Sequence, residues 1–450
     1  MKVGIVLKKN DVLKNQEIID YTHEGMGVCK VQGIPIFVKY GKKGQSYDIK
    51  LIKIEKKFAF GKIENEDTDD YICPHFKKCG GCHVMHLDYQ QQVDFKKGVV
   101  ENIFNKFKLD TQICDVVENE NPLGYRNKIL MPFTLDHQKQ IKLGFFKERS
   151  HDIEIVKHCF LQSDLSNDIA HEILTLMKQV KETVYDEDKH QGNLRHLFIR
   201  EGFNTNEIMV CFVLNGDKLN QHRYVVDSLT TKFPQIKSIV INVNKRKTNA
   251  VLGFKNFNLY NSNFITEKLE DSTFRLLPNA FFQINTAQTE KMYNKIVEYA
   301  NISADDNVLD AYCGVGSITH YLAKKARHVV GIEISEAAIK SANDNKKLNK
   351  VTNIEFICND IEKEIQKYEE VKKFFDVVVV DPPRKGIEDN FIDILNNYKP
   401  KTIVYVSCNP ATLARDLTKL EDNYNIVEVT PFDLFSQTYH VETVCKLTLK

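Results

Sequence analysis

The feature that most constrains this chain is a regular alternation of strand-like and helix-like segments from about residue 285 onward. A helical stripe of Met292, Ile296, Val297 and Ala300 comes first. Apolar runs follow at Asn307–Asp310, His328–Glu333, Ile354–Cys358, Asp376–Asp381 and Thr402–Ser407, with helix-patterned stretches at Ser317–Lys324 and Ala337–Leu348 between them. Two further strands are predicted at Asn425–Val429 and Val441–Leu449. Short apolar strands alternating with helices imply an open, mostly parallel α/β sheet wound on both faces. Such sheets bind their ligands outside the carboxyl ends of the strands, so those ends are where chemistry is to be sought.

A chain of 450 residues exceeds one ordinary core. We divide it into a β-rich module at 1–62, an α+β central domain at 63–265 and the doubly wound domain at 266–450. Short runs at Gly33–Val38, Tyr47–Ile54 and Phe58–Ile63, broken by Gly and Lys turns, predict a small OB-like β-barrel at the N-terminus. This module holds 13 Lys and 6 Asp/Glu, a net of +7, although the whole chain carries only +1. It runs into the acidic stretch Glu64-Asn65-Glu66-Asp67-Thr68-Asp69-Asp70. A basic module ending at an acidic linker suggests a surface that faces nucleic acid. The central domain mixes strands at Lys128–Phe133, Ile141–Phe146, His196–Arg200, Glu207–Leu214 and Ser238–Val243 with a helix at Asn167–Thr183.

No run approaches the roughly 20 apolar residues of a membrane span. The first residues lack a signal-peptide core, so a cytoplasmic location without membrane contact is expected. The eleven cysteines then sit in a reducing compartment, where ligand or nucleophile roles prevail over disulfides. Cys29, Cys114, Cys211, Cys358 and Cys445 lie in apolar runs and are expected in the core.

The run Val308-Leu309-Asp310-Ala311-Tyr312-Cys313-Gly314-Val315-Gly316-Ser317 takes an apolar strand into a glycine turn that opens a helix. Such a turn lets backbone approach a cofactor closely. Glu333 ends the next strand, where a carboxylate can accept from ribose hydroxyls, and Asn359-Asp360 lies just past the third. Two glycines rather than three speak against a pyrophosphate-binding turn. The combination resembles the S-adenosylmethionine site of class I methyltransferases.

The fourth strand leaves through Asp381-Pro382-Pro383-Arg384-Lys385-Gly386. Successive prolines hold Asp381 in extended backbone, so its carboxylate can be aimed at a polar edge such as a base N–H. Alone, this turn would equally serve methylation of an adenine or glutamine nitrogen. The fifth strand ends Ser407-Cys408-Asn409-Pro410, placing a thiol one strand over from Asp381. A thiol there suits alkylation at C5 of uracil, a carbon that is a poor nucleophile until a thiolate adds at C6. Arg384, Lys385 and Arg415 are candidate cations for that thiolate. The C5 proton must afterwards leave to a base, and Glu442 in Tyr439-His440-Val441-Glu442 stands at the start of the last strand.

These motifs together closely resemble the RumA/TrmA family of RNA uracil-5 methyltransferases, and the resemblance extends over essentially the whole chain. It implies Cys408 as nucleophile, Glu442 as base, and Asp381 near uracil and cofactor. It also implies that Gln283, in Phe281-Phe282-Gln283-Ile284-Asn285, contacts the cofactor with Phe281 beside the target base. Tyr312 and Glu333 would line the cofactor pocket.

Cys73, Cys79 and Cys82 stand at C-x5-C-x2-C spacing. Spacing alone would favour zinc, with His75, His83 or His86 as a further ligand. The resemblance implies instead a structural [4Fe-4S] cluster with Cys159 as the distant fourth ligand. It likens the N-terminal barrel to the TRAM domain of the ribosomal-RNA branch through Thr22-His23-Glu24-Gly25-Met26-Gly27, although Lys43-Gly44-Gln45 replaces the usual Pro-Gly-Glu. Gly124-Tyr125-Arg126-Asn127-Lys128 and Asn193-Leu194-Arg195-His196 mix aromatic and basic side chains suited to RNA, with core ion pairs as the alternative. The expected partner is 23S ribosomal RNA, with transfer RNA as the second substrate, the protein acting as a monomer and extruding its target base. An N-methyltransferase and a non-catalytic iron–sulfur RNA-binding protein remain as competing readings.

Overall fold

The computed structural model describes residues 7–64, 71–370 and 375–450, so most of the acidic linker lies outside the described residues. At the N-terminus, Val12–Glu17, Ser46–Ile54, Ala59–Ile63, Ile34–Val38, Gly27–Val31 and Asp20–Tyr21 form one six-stranded sheet in that order. It curls around Ile18, Ile36, Val38, Ile49 and Leu51. The first and last strands are not paired with each other, so the predicted barrel is an open half-barrel.

The central sheet has seven strands, in the order Ile153–Ile155, Ile141–Phe146, Lys128–Leu135, Leu194–Gly202, Glu207–Leu214, Ile236–Val243 and Lys255–Asn261. Asp164–Gln179 and His222–Lys232 are its helices. The first is capped by Ser163, which accepts from Ser166 N, and it stops at Gln179, short of the predicted Thr183. Lys181 has turned left-handed there, at φ 51°.

The C-terminal sheet is the one the alternation predicts. Counting its seven long strands from Asn307–Ala311 in chain order, the sheet runs 3-2-1-4-5-7-6. The first five are parallel, and Glu442–Leu449 inserts antiparallel between Thr402–Ser407 and Tyr424–Phe432. Period-two alternation sorts the side chains: Leu309, Val378, Val380, Ile403 and Tyr405 pack on one face, and Val308, Val377, Val379, Val404 and Val406 on the other.

Two additions come from outside this domain's predicted span. Helix Tyr89–Phe107 starts at Asp88 with a reciprocal Asp88–Gln91 capping box. It buries Val100 and Phe104 in the C-terminal core. After it, Gln112–Ile113 adds an eighth strand beside Tyr424–Phe432. The hairpin Ile265–Leu269/Ser272–Leu276 buries Ile265, Leu269 and Phe274 among Phe198 and Met209 of the central sheet and Met292 and Ile296 of the next helix.

Of the cysteines expected in the core, Cys29, Cys211 and Cys445 are buried. Cys114 is half-buried, its thiol donating to Glu428 Oε2 at 3.3 Å. Cys358 is exposed, because it ends the edge strand of the sheet, where one flank has no neighbour. Among the described residues, no helix is long and apolar enough to cross a membrane.

Candidate active site

The glycine turn forms as its sequence demands. Tyr312, Gly314 and Gly316 all lie at positive φ (64°, 56° and 82°), folding the chain tightly between the strand end and helix Ser317–Ala323. A Cβ on Gly316 would come within 2.5 Å of the Phe356 ring, so only glycine fits. Tyr312 holds left-handed backbone without that freedom, a cost of about 1–3 kcal/mol that surrounding structure must sustain and that is typical of functional sites. Behind the turn Asp310 is fully buried. Its Oδ2 accepts from Thr319 Oγ1 at 2.5 Å, while Oδ1 is buried with no hydrogen-bond partner. Burial first, and then Asp381 and Glu333, push its carboxyl up to about 7. Such a buried carboxyl oxygen without a partner is rare. Glu333 accepts from Gly314 N at 3.3 Å and Ser335 N at 2.9 Å, which keeps it at the mouth of the turn with acceptor capacity remaining. Gln283 is buried just before helix Thr286–Ala300. Its carbonyl accepts from Asn127 Nδ2 at 2.9 Å.

The thiol and the carboxylate come together through strand register. Ser407 pairs with Thr443 and Val406 with Val444 in the antiparallel ladder. Cys408 directly follows Ser407 and Glu442 directly precedes Thr443, so both stand at this end of the ladder, and the Glu442 charge reaches the thiol. Thr443 Oγ1 donates to Ser407 O at 2.9 Å and fastens the end of the ladder. Beyond Cys408, Asn409 caps helix Pro410–Leu420 by accepting from Ala411 N, with Pro410 in the first turn. The positive end of that helix therefore begins next to the thiol, which favours its thiolate. The neighbouring charges work the other way. Burial, Glu442 and Asp381 together push the Cys408 thiol up to about 11, and Arg384 opposes them. Burial pushes Asp381 up to about 7. Glu442 rises to about 8, through burial and then Asp381, against Arg384 and Lys96.

The three candidate cations are thereby sorted. Lys385 pairs with Glu388, and Arg415 pairs with Asp416 at 2.6 Å. Arg384 is the one that acts on the thiol. Its loop is set by Asp416, which is fully buried and accepts from Tyr405 Oη at 2.6 Å and Ile387 N at 3.1 Å. Gly386, at φ 82°, lies so close that a Cβ would meet Asp416 Oδ2 at 2.4 Å.

One participant escaped the sequence reading. Lys96 is fully buried and pairs with the buried Asp433, also donating to Phe435 O at 3.0 Å. Tyr89 Oη at 2.9 Å and Ser436 Oγ at 2.6 Å donate to the other oxygen of Asp433. This network holds the segment that leads into Glu442, and the Lys96 charge reaches Glu442 itself. The available signal was Lys96 on the apolar stripe of Val93, Val99 and Val100, where an unpaired lysine would be costly.

A second cluster lies apart from the thiol. Cys73, Cys79, Cys82 and Cys159 all line one cavity of about 210 Å³, together with His75 and Arg126. Gly80 N donates to Phe146 O at 3.0 Å and docks the cysteine loop on the central sheet. Cys159 is brought in by Asn167, which bonds both its N (2.9 Å) and its O (3.1 Å). Burial raises all four thiols above the usual range. Among the described residues, no three His, Cys, Asp or Glu side chains converge closely enough to hold a single metal ion. His83 and His86 do not line the cavity. His86 is buried against Phe76 and Tyr40.

Of the two central motifs read as RNA contacts, Tyr125, Asn127, Leu194, Arg195 and His196 are buried, while Arg126, Lys128 and Asn193 are half-buried. Tyr125 is buried and donates to Ser436 O at 2.9 Å, while Arg126 faces the cysteine cavity. Arg195 is buried, donating to Asn244 O (2.7 Å) and Arg246 O (2.9 Å) and stacking on Tyr185. His196 is buried beside it. The Arg195 Nη1 is taken up by these carbonyls, under the surface of the central domain. Phe281, by contrast, is 67% exposed.

Sheet order and glycine turn define an α/β domain of the methyltransferase type. The family described as tRNA (Uracil-5-)-methyltransferase matches residues 88–450, and the chain belongs to it. It is 40% identical over 99% of both chains to an uncharacterized RNA methyltransferase of Staphylococcus aureus strain MSSA476. It is 42% identical to another from Oceanobacillus iheyensis, over 96% of this chain and 95% of that one. Among solved structures it is similar to the Pyrococcus abyssi tRNA (uracil-54, C5)-methyltransferase in complex with S-adenosyl-L-homocysteine. That match has a TM-score of 0.77 and 30% identity, covering 96% of this chain and 100% of the other.

Proposed function

We propose that this protein methylates C5 of a uridine in RNA with S-adenosylmethionine as donor and Cys408 as covalent nucleophile. The observation that supports the reading is the ladder end at Ser407–Thr443, which brings Cys408 and Glu442 to one edge of the sheet, with the charges of Glu442 and Arg384 reaching the thiol. Gln283, Tyr312, Glu333 and Asp381 would hold the cofactor, and the unsatisfied Asp310 Oδ1 behind the turn fits a ligand that brings a donor. The cofactor supplies an electrophilic methyl group.

The chain's own residues do the rest. Phe281 flanks the extruded uracil, and Asp381 binds its polar edge. The Cys408 thiol first gives up its proton to solvent; the thiolate sulfur then bonds to C6, and the C5–C6 π electrons move toward O4 as an enolate, making C5 nucleophilic. After C5 has gained the methyl group, Glu442 takes the C5 proton. The electrons of that C–H bond restore C5=C6, and the Cys408 sulfur leaves.

The four cysteines suit a [4Fe-4S] cluster better than zinc. One zinc ion needs its donors at about 2.0–2.3 Å from a single point, whereas these thiols are spread along the wall of a cavity of about 210 Å³, with no three converging on one ion among the described residues. The cluster would be structural, since methyl transfer moves no electrons. Protein purified without oxygen should carry about four irons per chain and no zinc. Cys82→Ser should lose the iron, and stoichiometric zinc would reverse the assignment.

The basic half-barrel supports 23S ribosomal RNA as the substrate, while the family description favours transfer RNA. Incubation of the purified protein with S-adenosylmethionine and unmodified transcripts of both, followed by mass mapping, decides. We expect 5-methyluridine in a 23S fragment. Product in transfer RNA alone would move the address, and a methyl group on nitrogen would overturn the reaction.

A further inference from the structure

We infer that the segment Asn244–Phe257 is a stacking platform for single-stranded RNA next to the reacting uridine. Phe254 would take a base, and Lys245, Arg246 and Lys247 its phosphates. The inference rests on the proposed function, because it takes Phe281 to mark the entrance for the target base.

The segment enters the edge strand of the central sheet, Lys255–Asn261. Phe254 is 85% exposed and Phe257 42% exposed, yet the loop that presents them is tightly built. Asn244 is buried and donates to Ala250 O (2.6 Å) and Val251 O (2.8 Å). Asn242, also buried, bonds Gly253 in both directions, at 3.0 and 2.7 Å. Arg195 donates from beneath to the carbonyls of Asn244 and Arg246. Gly253 approaches Val243 O so closely that a Cβ would lie 1.7 Å from it. A phenyl ring held in water by such a frame is not loop slack, and edge protection would be met by Lys255 alone.

The cations are placed to match. The Arg246 guanidinium lies 4.4 Å from the Phe254 ring centroid, and its Nη2 donates to Leu252 O at 3.1 Å. Lys245, Lys247 and Lys255 are exposed, with no ion pair among the described residues. An aromatic face, a stacked guanidinium and free ammonium groups are the elements that bind an unpaired strand by stacking and charge.

The link to the reaction is a hydrogen bond. Gly253 O also accepts from Asn279 Nδ2 at 3.0 Å. Asn279 stands two residues before Phe281, in a segment that Arg200 clamps through Leu277 O (2.9 Å) and Ala280 O (2.7 Å). Phe254 and Phe281, both exposed, therefore hang on one frame. A base extruded beside Phe281 leaves flanking nucleotides unstacked, and Phe254 offers one of them a replacement face.

The test uses the full-length protein, a fluorescein-labelled single-stranded 15-nucleotide RNA of mixed sequence, and the methylated transcript from the assay above. Phe254→Ala should weaken binding of the oligonucleotide and raise KM for the transcript by roughly tenfold, leaving kcat and cofactor affinity unchanged. Phe254→Trp should restore both. Lys245→Ala/Lys247→Ala should lower the slope of log affinity against log salt by about 0.7 for each phosphate no longer neutralised. Unchanged affinity and KM in Phe254→Ala, or a loss that tryptophan does not repair, overturns the platform. No oligonucleotide binding by the unaltered protein does so too. If the unaltered protein methylates no uridine while Phe254→Ala still weakens binding, the functional reading fails and the platform stands.

Discussion

Cys408→Ala is expected to lower turnover by on the order of 10⁴-fold or more, with RNA and cofactor affinities within about twofold of the unaltered protein. The size follows from the chemistry. Without sulfur at C6 no enolate forms, and C5 stays too poor a nucleophile to accept a methyl group. Cys408→Ser should be nearly as inactive, since a hydroxyl in the same half-buried place is far harder to ionise than a thiol. The thiol itself is held at about 11 in the free protein, raised by burial and by the charges of Glu442 and Asp381. The resting protein is thus a thiol, and its activation depends on Arg384, on the helix end behind Asn409 and on neutralising the two carboxylates. The experiment also separates reaction classes. A nitrogen methyltransferase built on Asp381-Pro382-Pro383-Arg384 would not notice the loss of Cys408, so near-normal rates in Cys408→Ala would end the covalent mechanism.

The sequence made the C-terminal sheet legible because its strands are short, apolar and regularly spaced; Val377–Val380 can be little else than a buried parallel strand. Gly316 and the two prolines after Asp381 were legible for the same reason, since each restricts backbone directly. The approach of Cys408 and Glu442 to one sheet edge was not. It arises from the antiparallel insertion of the last strand, and no local pattern states which strand will neighbour which. The Lys96–Asp433 pair joins residues 337 positions apart, beyond any periodicity. Gln112–Ile113 is two residues long and holds no period at all. Arg195 and His196 were misread because composition reports charge but not burial; carbonyls of the central domain take up the Arg195 Nη1 that sequence alone offered to phosphate. Phe254 was missed for the converse reason: an isolated phenylalanine after glycine reads as core until its surroundings are known.

Glu442→Gln is expected to stop the reaction after methyl transfer and accumulate a covalent protein–RNA adduct that survives denaturation and carries the new methyl group. An amide cannot take the C5 proton, so the C6–S bond has no route to break, and turnover should fall by about 10²–10⁴-fold. The adduct must vanish in Cys408→Ala/Glu442→Gln. Glu442 should also leave a signature in pH. Its folded value of about 8 stands above the ordinary glutamate value of 4.5, chiefly through burial. The proton-accepting form therefore grows as pH rises through about 8. A rate limited by proton removal should climb up to that pH and level off, and Glu442→Gln should erase the climb. Stability runs the opposite way. Because the folded value is raised, the native state binds the proton more tightly than the unfolded chain does. Its stabilising contribution is full below about pH 4.5 and is lost as pH rises through about 8, at up to about 1.4 kcal/mol per pH unit. A neutral glutamine suffers no such loss, so the Tm of Glu442→Gln relative to the unaltered protein should increase between pH 5 and pH 8. Free turnover without adduct would exclude Glu442 as the base, and parallel Tm curves would place its proton elsewhere.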